Sequence, residues 1–350
     1  MKKLLALLLC AVLCLSLAAC ASNTATTTTE TTETTVEPAA EETASSDASA
    51  ETAQPAADAQ QYVVGICQLV QHDALDAATN GFMDALNEAL PGQVTFDLKN
   101  ASNDIPTCGT IVTGFVASNV DLILANATPA LQAASTATQT IPILGTAVTE
   151  YGVALDIKDF NGTVGGNISG TSDLAPLDQQ ADMLLELLPE AQNVGILYCS
   201  AEANSVYQAD VVKAALEAKG VNVTVYTFAD SNDVATVTQT ACAENDALYI
   251  PTDNTAASCT EAINNVAEPA GVPIVAGEEG ICKGCGVATL SIDYYELGKT
   301  TGAMAAKILT GEANISEMPI EYYKNPVKKY DAARCEALGI TVPADYVAIG

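Results

Sequence analysis

Tryptophan is absent from the 350 residues, and histidine and arginine occur once each. Positive charge is scarce: 13 Lys and Arg stand against 43 Asp and Glu, a formal net charge of −30. One histidine excludes a multi-histidine metal centre. So acidic a chain would be repelled by phosphates, which excludes DNA and RNA as partners. No G-x-G-x-x-G follows the first apolar strand pattern, so the dinucleotide fingerprint is missing. Eleven cysteines are too dilute for a disulfide scaffold, and the length is enough for two domains with cores of their own.

What is present begins with a targeting pattern. Lys2 and Lys3 precede an almost wholly apolar run, Leu4 to Ala19, as in a signal peptide rather than a stable membrane span. The run ends Leu17-Ala18-Ala19-Cys20, small residues before a cysteine, which resembles a lipobox. Residues 1–19 are therefore expected to be cleaved and Cys20 to be acylated, with Cys10 and Cys14 discarded. More than one acyl chain makes such an anchor stable. Residues 20–60 then carry no Lys or Arg and are rich in Thr, Glu, Ala and Ser. They cannot bury enough apolar surface to fold and read as a disordered tether.

From residue 61 onward, short β-rich runs alternate with amphipathic stretches. The strand patterns of the first series are 62–66, 94–98, 120–124 and 141–144; the helical ones run from Asp73 to about Ala89, Cys108 to Ala117 and Thr128 to about Thr138. A second series follows Ser172. Its strand patterns are 194–198, 221–226, 247–250 and 272–275, and its helices are 174–188, 205–219, 234–244 and 255–267. Both series end in the same kind of strand, Ile141-Pro142-Ile143 and Val272-Pro273-Ile274. The βα rhythm predicts an α/β fold: two similar lobes with mostly parallel sheets and a cleft between them. Ligands in such sheets sit beyond the carboxyl ends of the strands.

The residues just after each strand are therefore the candidates. Thr128 opens a helix whose free N–H groups, with its hydroxyl, suit a ligand carboxylate. Asp253 or Glu278 suits a ligand ammonium through a charge-assisted bond. Helix capping explains the same residue types equally well. A His72–cysteine nucleophile pair has no supporting spacing, so catalysis is not expected. Cys282-Lys283-Gly284-Cys285 is a lone C-x-x-C in what reads as a Gly-rich loop, without the second pair a zinc site needs or the helix start of a redox site.

Several segments together carry a family likeness. They are Gln71-His72-Asp73-Ala74-Leu75-Asp76, Ala127-Thr128-Pro129-Ala130, Gly170-Thr171-Ser172-Asp173, Glu202-Ala203-Asn204-Ser205, Pro251-Thr252-Asp253-Asn254 and Ile292-Asp293-Tyr294-Tyr295-Glu296-Leu297-Gly298. Over roughly 61–345 the chain resembles the ABC-transporter substrate-binding lipoproteins that include the tryptophan-binding receptors of Gram-positive bacteria. The resemblance implies the periplasmic-binding-protein type I fold: two Rossmann-like lobes, three crossovers and hinge closure on a ligand. It places lobe 1 at 61–170 plus 287–317 and lobe 2 at 171–286 plus 318–350, with the helix from Tyr295 to Leu309 packed on lobe 1. It implies a monomer without cofactor or metal, anchored to the extracytoplasmic face of the membrane, that delivers a solute to an ABC permease with a separate ATPase. Thr128 and Thr149 would take the ligand carboxylate, and Asp253, Asn254 and Glu278 would form the opposite polar set. Gln68, His72 and Asn204 would lie near the mouth or floor, and Leu69, Tyr151 and Tyr207 are candidates for an apolar wall. The implied ligand is an aromatic or other hydrophobic amino acid such as tryptophan. Cys67 and Leu69 stand where that family commonly has larger aromatics, which leaves other small solutes open. A ligand sensor working with a membrane signalling partner would use the same cleft.

Overall fold

The computed structural model of the protein describes residues 60–350. The expected signal segment, Cys20 and the tether up to residue 59 lie outside the described residues.

The first series folds as β1 (Tyr62–Gln68), α1 (Asp73–Ala89), β2 (Val94–Asn100), α2 (Ile105–Ala117), β3 (Leu122–Asn126), α3 (Thr128–Ala137), β4 (Ile143–Val148), α4 (Tyr151–Ala154) and β5 (Ile168–Ser172). The second is α5 (Leu177–Leu187), β6 (Asn193–Cys199), α6 (Ala203–Glu217), β7 (Asn222–Phe228), α7 (Val234–Glu244), β8 (Ala247–Ile250), α8 (Asn254–Ser258), α9 (Thr260–Ala270), β9 (Ile274–Ala276), α10 (Glu279–Cys285) and β10 (Ala288–Ser291). The chain ends with α11 (Tyr294–Leu309), β11 (Glu321–Tyr322), β12 (Val327–Tyr330), α12 (Ala332–Ala337) and β13 (Val347–Ala348).

Two sheets result. The first has the order β11-β5-β4-β3-β1-β2 and is parallel throughout. The second has the order β13-β12-β10-β9-β8-β6-β7, with β12 antiparallel to β10. Each is covered on both faces, so strand residues divide by alternation between two cores. In the first sheet Tyr62, Val64 and Ile66 join Phe82 and Leu86 of α1, whereas Cys67, Ile123 and Ala125 face α2 and α3 with Phe115 and Leu131. In the second, Ile196 and Tyr249 lie in one core and Leu197 and Leu248 in the other.

The repeat seen in the two proline-containing strands is structural. Ile123 N–H donates to Pro142 O at 2.9 Å, and Leu248 N–H donates to Pro273 O at 2.9 Å. In each lobe the proline sits just before the fourth strand, where its missing N–H breaks no ladder.

Three crossovers join the lobes, at 173–176, 292–293 and 323–326. Three expected boundaries shift. The first was set between 170 and 171, but Thr171 and Ser172 pair with β11 and belong to the first sheet. The return was set at 287, but β10 pairs with β9 and β12, so 288–291 belongs to the second sheet. The last crossing was set at 318, but β11 pairs with β5 and keeps 321–322 in the first sheet. The last two shifts come from strands too short to stand out in an apolar pattern.

After the return, α11 packs along α1 on the first lobe. The approach is close because Gly81, Gly298 and Gly302 form the contact. A Cβ at Gly298 would overlap the Ala78 carbonyl oxygen, and one at Gly302 would stand 2.6 Å from Phe82 O. Thr301 then reaches the sheet, with its hydroxyl 2.8 Å from that of Thr171.

Candidate functional site

The carboxyl ends of both sheets supply one cleft. As closed here it is a narrow space, lined by residues that lie at or just beyond the ends of strands. The first lobe gives His72, Ala74 and Leu75 after β1, and Ala147 and Thr149 at the end of β4. Asp173 comes from the first crossover, and Tyr294 is the first residue of α11, directly after the second. The second lobe gives Asn204 after β6, Thr252, Asp253, Asn254 and Ala257 after β8, and Glu278 after β9. No lysine or arginine is among these residues.

The lobes touch across the cleft. His72 Nε2 lies 3.2 Å from Asn254 Oδ1, and Asn103 Nδ2 donates to Thr255 Oγ1 at 3.0 Å. Lys283 pairs with Asp73 at 3.5 Å, but both side chains are mostly exposed and the pair adds little. The arrangement is therefore a closed one. Burial lowers the His72 pKa, opposed by its bond to Asn254 and by the charges of Glu202, Asp76 and Asp73.

Three acids line the cleft, and they are not equivalent. Asp253 caps α8: its Oδ1 accepts from Ala256 N–H at 2.7 Å, and Oδ2 accepts from Cys199 N–H at 2.8 Å and the Ser205 hydroxyl at 2.7 Å. Glu278 caps α10 by accepting from the Gly280 and Ile281 N–H groups. Asp173 caps nothing. Its Oδ2 accepts from the Tyr294 hydroxyl at 3.0 Å, and its Oδ1 has no partner although the residue is only 4% exposed. The Thr149 hydroxyl stands near this carboxylate and favours its charged form. Burial raises all three pKa values, Asp253 to about 8 with help from the Glu202 charge, and Glu278 to about 7.

Of the residues singled out in the sequence, His72, Thr149, Asn204, Asp253, Asn254 and Glu278 meet in this cleft. Gln68 and Thr128 do not line it. Gln68 Nε2 donates to Val70 O and Asp76 Oδ1, and its Oε1 accepts from Thr79, so it braces the start of α1. Thr128 is buried at the start of α3 with its hydroxyl unpartnered. The wall also differs from expectation. Leu69 and Tyr151 are buried in the first-lobe core, and Leu75, Ala257 and Tyr294 face the cleft instead. The C-x-x-C is helical rather than a loop: Glu278 starts α10, and the only arginine, Arg334, donates to the carbonyls of Cys282, Lys283 and Gly284 at its end.

Three residues that organise the cleft were not picked out as site residues. Asp173 and Tyr294 lie in two of the segments that carry the family likeness and sit at the crossovers. Glu202 is buried behind Asn254 and Thr255. It accepts from both backbone N–H groups at 3.0 and 2.8 Å, from Asn254 Nδ2 at 2.6 Å and from Thr255 Oγ1 at 2.8 Å. It thereby aims the two residues that meet His72 and Asn103. Backbone strain also gathers here: Ala127 and Ala147, at the ends of β3 and β4, have φ of 94° and 51°. Such conformations persist only where the surroundings hold them, and they concentrate at binding sites.

Known proteins share this architecture and much of this sequence. A tyrosine-binding protein from Clostridioides difficile is 35% identical over 264 residues, 75% of this chain and 76% of that one. A Streptococcus pneumoniae ABC domain in complex with L-Trp is 30% identical with a TM-score of 0.78, covering 81% of this chain and 97% of that one. The ligand-free, open structure of a substrate binding protein with adhesive properties from Clostridium difficile is 34% identical. Its TM-score is 0.63, covering 82% of this chain and 99% of that one. The lower score against the open form goes with the bonds that join the lobes across the cleft in this chain. These likenesses give the fold as periplasmic-binding-protein type I. The family model for ABC transporter substrate binding protein matches residues 63–347. The chain is thus a member of the ABC transporter substrate-binding protein family, a solute receptor and not an enzyme.

Proposed function

We propose that the protein captures an α-amino acid with an aromatic or other hydrophobic side chain, tyrosine or tryptophan foremost. It then delivers that amino acid to an ABC permease driven by a separate ATPase. The observation that carries this reading is the closed cleft, where unpartnered buried polar atoms meet an apolar wall. His72 Nδ1, Asp173 Oδ1 and Asn204 Oδ1 lack partners, while Leu75, Ala257 and Tyr294 supply apolar surface. The names of the two relatives, one tyrosine-binding and one in complex with L-Trp, support the same class. The ligand carboxylate is assigned to the first lobe, at Thr149 and the strained Ala147 backbone, with the Thr128 hydroxyl and the start of α3 behind them. Ligand contacts from both lobes favour the closed form over the open one. The receptor works as a monomer held by acyl chains on Cys20 at the outer face of a Gram-positive cell membrane, with residues up to 60 as its tether.

A thermal-shift series with the twenty standard amino acids tests the ligand class. Tyrosine or tryptophan is expected to raise the melting temperature most. If none of the aromatic or aliphatic amino acids raises it, the reading fails. Acylation is checked by mass spectrometry of the membrane-extracted protein. The Cys20→Ala variant is expected in the medium, and its retention on the membrane would remove the anchor.

A further inference from the structure

We infer that Asp173, at the first crossover, receives the ligand's ammonium group, and that the receptor selects amino acids over the corresponding acids through this one side chain. This rests on the ligand being an amino acid, as proposed above.

The assignment follows from which acid has an oxygen to offer. Asp253 accepts three hydrogen bonds inside the second lobe, two from backbone N–H groups and one from Ser205. Glu278 accepts from the two N–H groups at the start of α10. Removing either acid from these donors would leave buried N–H groups without partners, which is costly. Asp173 holds no helix end. Its Oδ2 is fixed by Tyr294, and Oδ1 is buried without a hydrogen bond, although the Thr149 hydroxyl stands near the carboxylate.

Neither protonation state of Asp173 is satisfied by the protein alone. The ionised carboxylate has no cation: lysine and arginine are absent from the cleft, and the nearby Lys283 and Lys329 pair with Asp73 and Glu279. The neutral acid, protonated on Oδ2 and donating to Tyr294, would still leave Oδ1 without a donor. A primary ammonium supplies both a charge and a donor, and such charge-assisted bonds are the strong ones. The position also suits closure. Asp173 lies in the first crossing segment and Tyr294 starts α11 just after the second, so an ammonium held there sits at the pivot and is reached from both sides.

The test is calorimetric titration with L-tyrosine and its des-amino analogue, 3-(4-hydroxyphenyl)propionate, using wild-type protein and the Asp173→Asn variant. L-tryptophan and indole-3-propionate serve as the second pair. Wild type is expected to bind the amino acid on the order of 30-fold or more tighter than the analogue. Asp173→Asn is expected to lose a factor of that order for the amino acid and little for the analogue. Equal affinity of the variant and wild type for the amino acid would overturn the assignment and leave a water molecule as the partner of Oδ1. Equal affinity of wild type for amino acid and analogue would overturn it without any variant, should Asp173→Asn fail to fold. If neither pair binds, the amino acid with the largest thermal shift and its des-amino acid replace them; if no aromatic or aliphatic amino acid binds at all, the amino-acid reading falls, and this inference with it.

Discussion

Asp173, Asp253 and Glu278 are buried around one small space, and burial pushes each carboxyl upward. An acid whose folded pKa lies above its unfolded value is more protonated in the folded state. Stability then falls as pH rises from the unfolded value near 4 towards the folded one. For Asp253 that window closes at about 8 and for Glu278 at about 7. His72 acts in the opposite sense, since its lowered pKa favours the folded state as pH rises towards 6.5. Three acids outweigh one histidine, so the ligand-free protein is expected to melt higher at pH 5.5 than at pH 8; a melting temperature that climbs across that range would contradict it. Asp253→Asn should destabilise by about 1–3 kcal/mol, because both Asp253 oxygens accept, Oδ1 from Ala256 and Oδ2 from Cys199 and Ser205, and an amide would turn an NH2 donor towards one of these sets. Denaturant unfolding measures this, and an unchanged midpoint would remove the capping role. The residue types at Asp253 and Glu278 were legible as polar groups at strand ends, but not their use. The same acid serves a helix cap or a ligand, and only the hydrogen bonds decide. Asp173 carried no such sign: the helix expected from residue 174 would make it a cap, and only the structure shows α5 starting at Leu177 behind Pro176, too far on for Asp173 to cap.

At the scale of elements, the α1–α11 contact is set by glycines. Gly298→Ala forces a Cβ onto the Ala78 carbonyl and is expected to cost about 1–3 kcal/mol or more as the helices separate. Gly109 lies in α2 with nothing within 4 Å of a built Cβ. Gly109→Ala should therefore stabilise by about 0.5–1 kcal/mol through helix propensity alone. The pair forms a matched test by thermal melting, and a Gly298→Ala variant as stable as Gly109→Ala would contradict the close packing. Long elements such as α1 and β1 were readable because their apolar residues recur at a fixed period. The seven residues of α10 were not, since Gly280 and Gly284 make a short helix look like a loop. The single helix expected over 255–267 is two, α8 and α9, with Cys259 at the break. Strands β10 and β11 were too short to mark where the crossovers fall, although the family resemblance already implied three of them.

At the scale of the molecule, the two lobes are held together by few bonds, so closure is a balance that a ligand can shift. Asn103 reaches Thr255 from a backbone with φ of 63°, so Asn103→Gly keeps the conformation and deletes the link. That variant should bind ligand about 2- to 10-fold more weakly, the worth of one hydrogen bond, with its fold intact. Small-angle scattering of the ligand-free variant should give a larger radius of gyration than wild type, and identical curves would remove the link from closure. The most direct test of the central claim is mass spectrometry of the small molecules released when the purified protein is denatured. An aromatic or other hydrophobic amino acid is expected at up to one equivalent. A stoichiometric ligand without an α-amino group, such as a sugar, would contradict it.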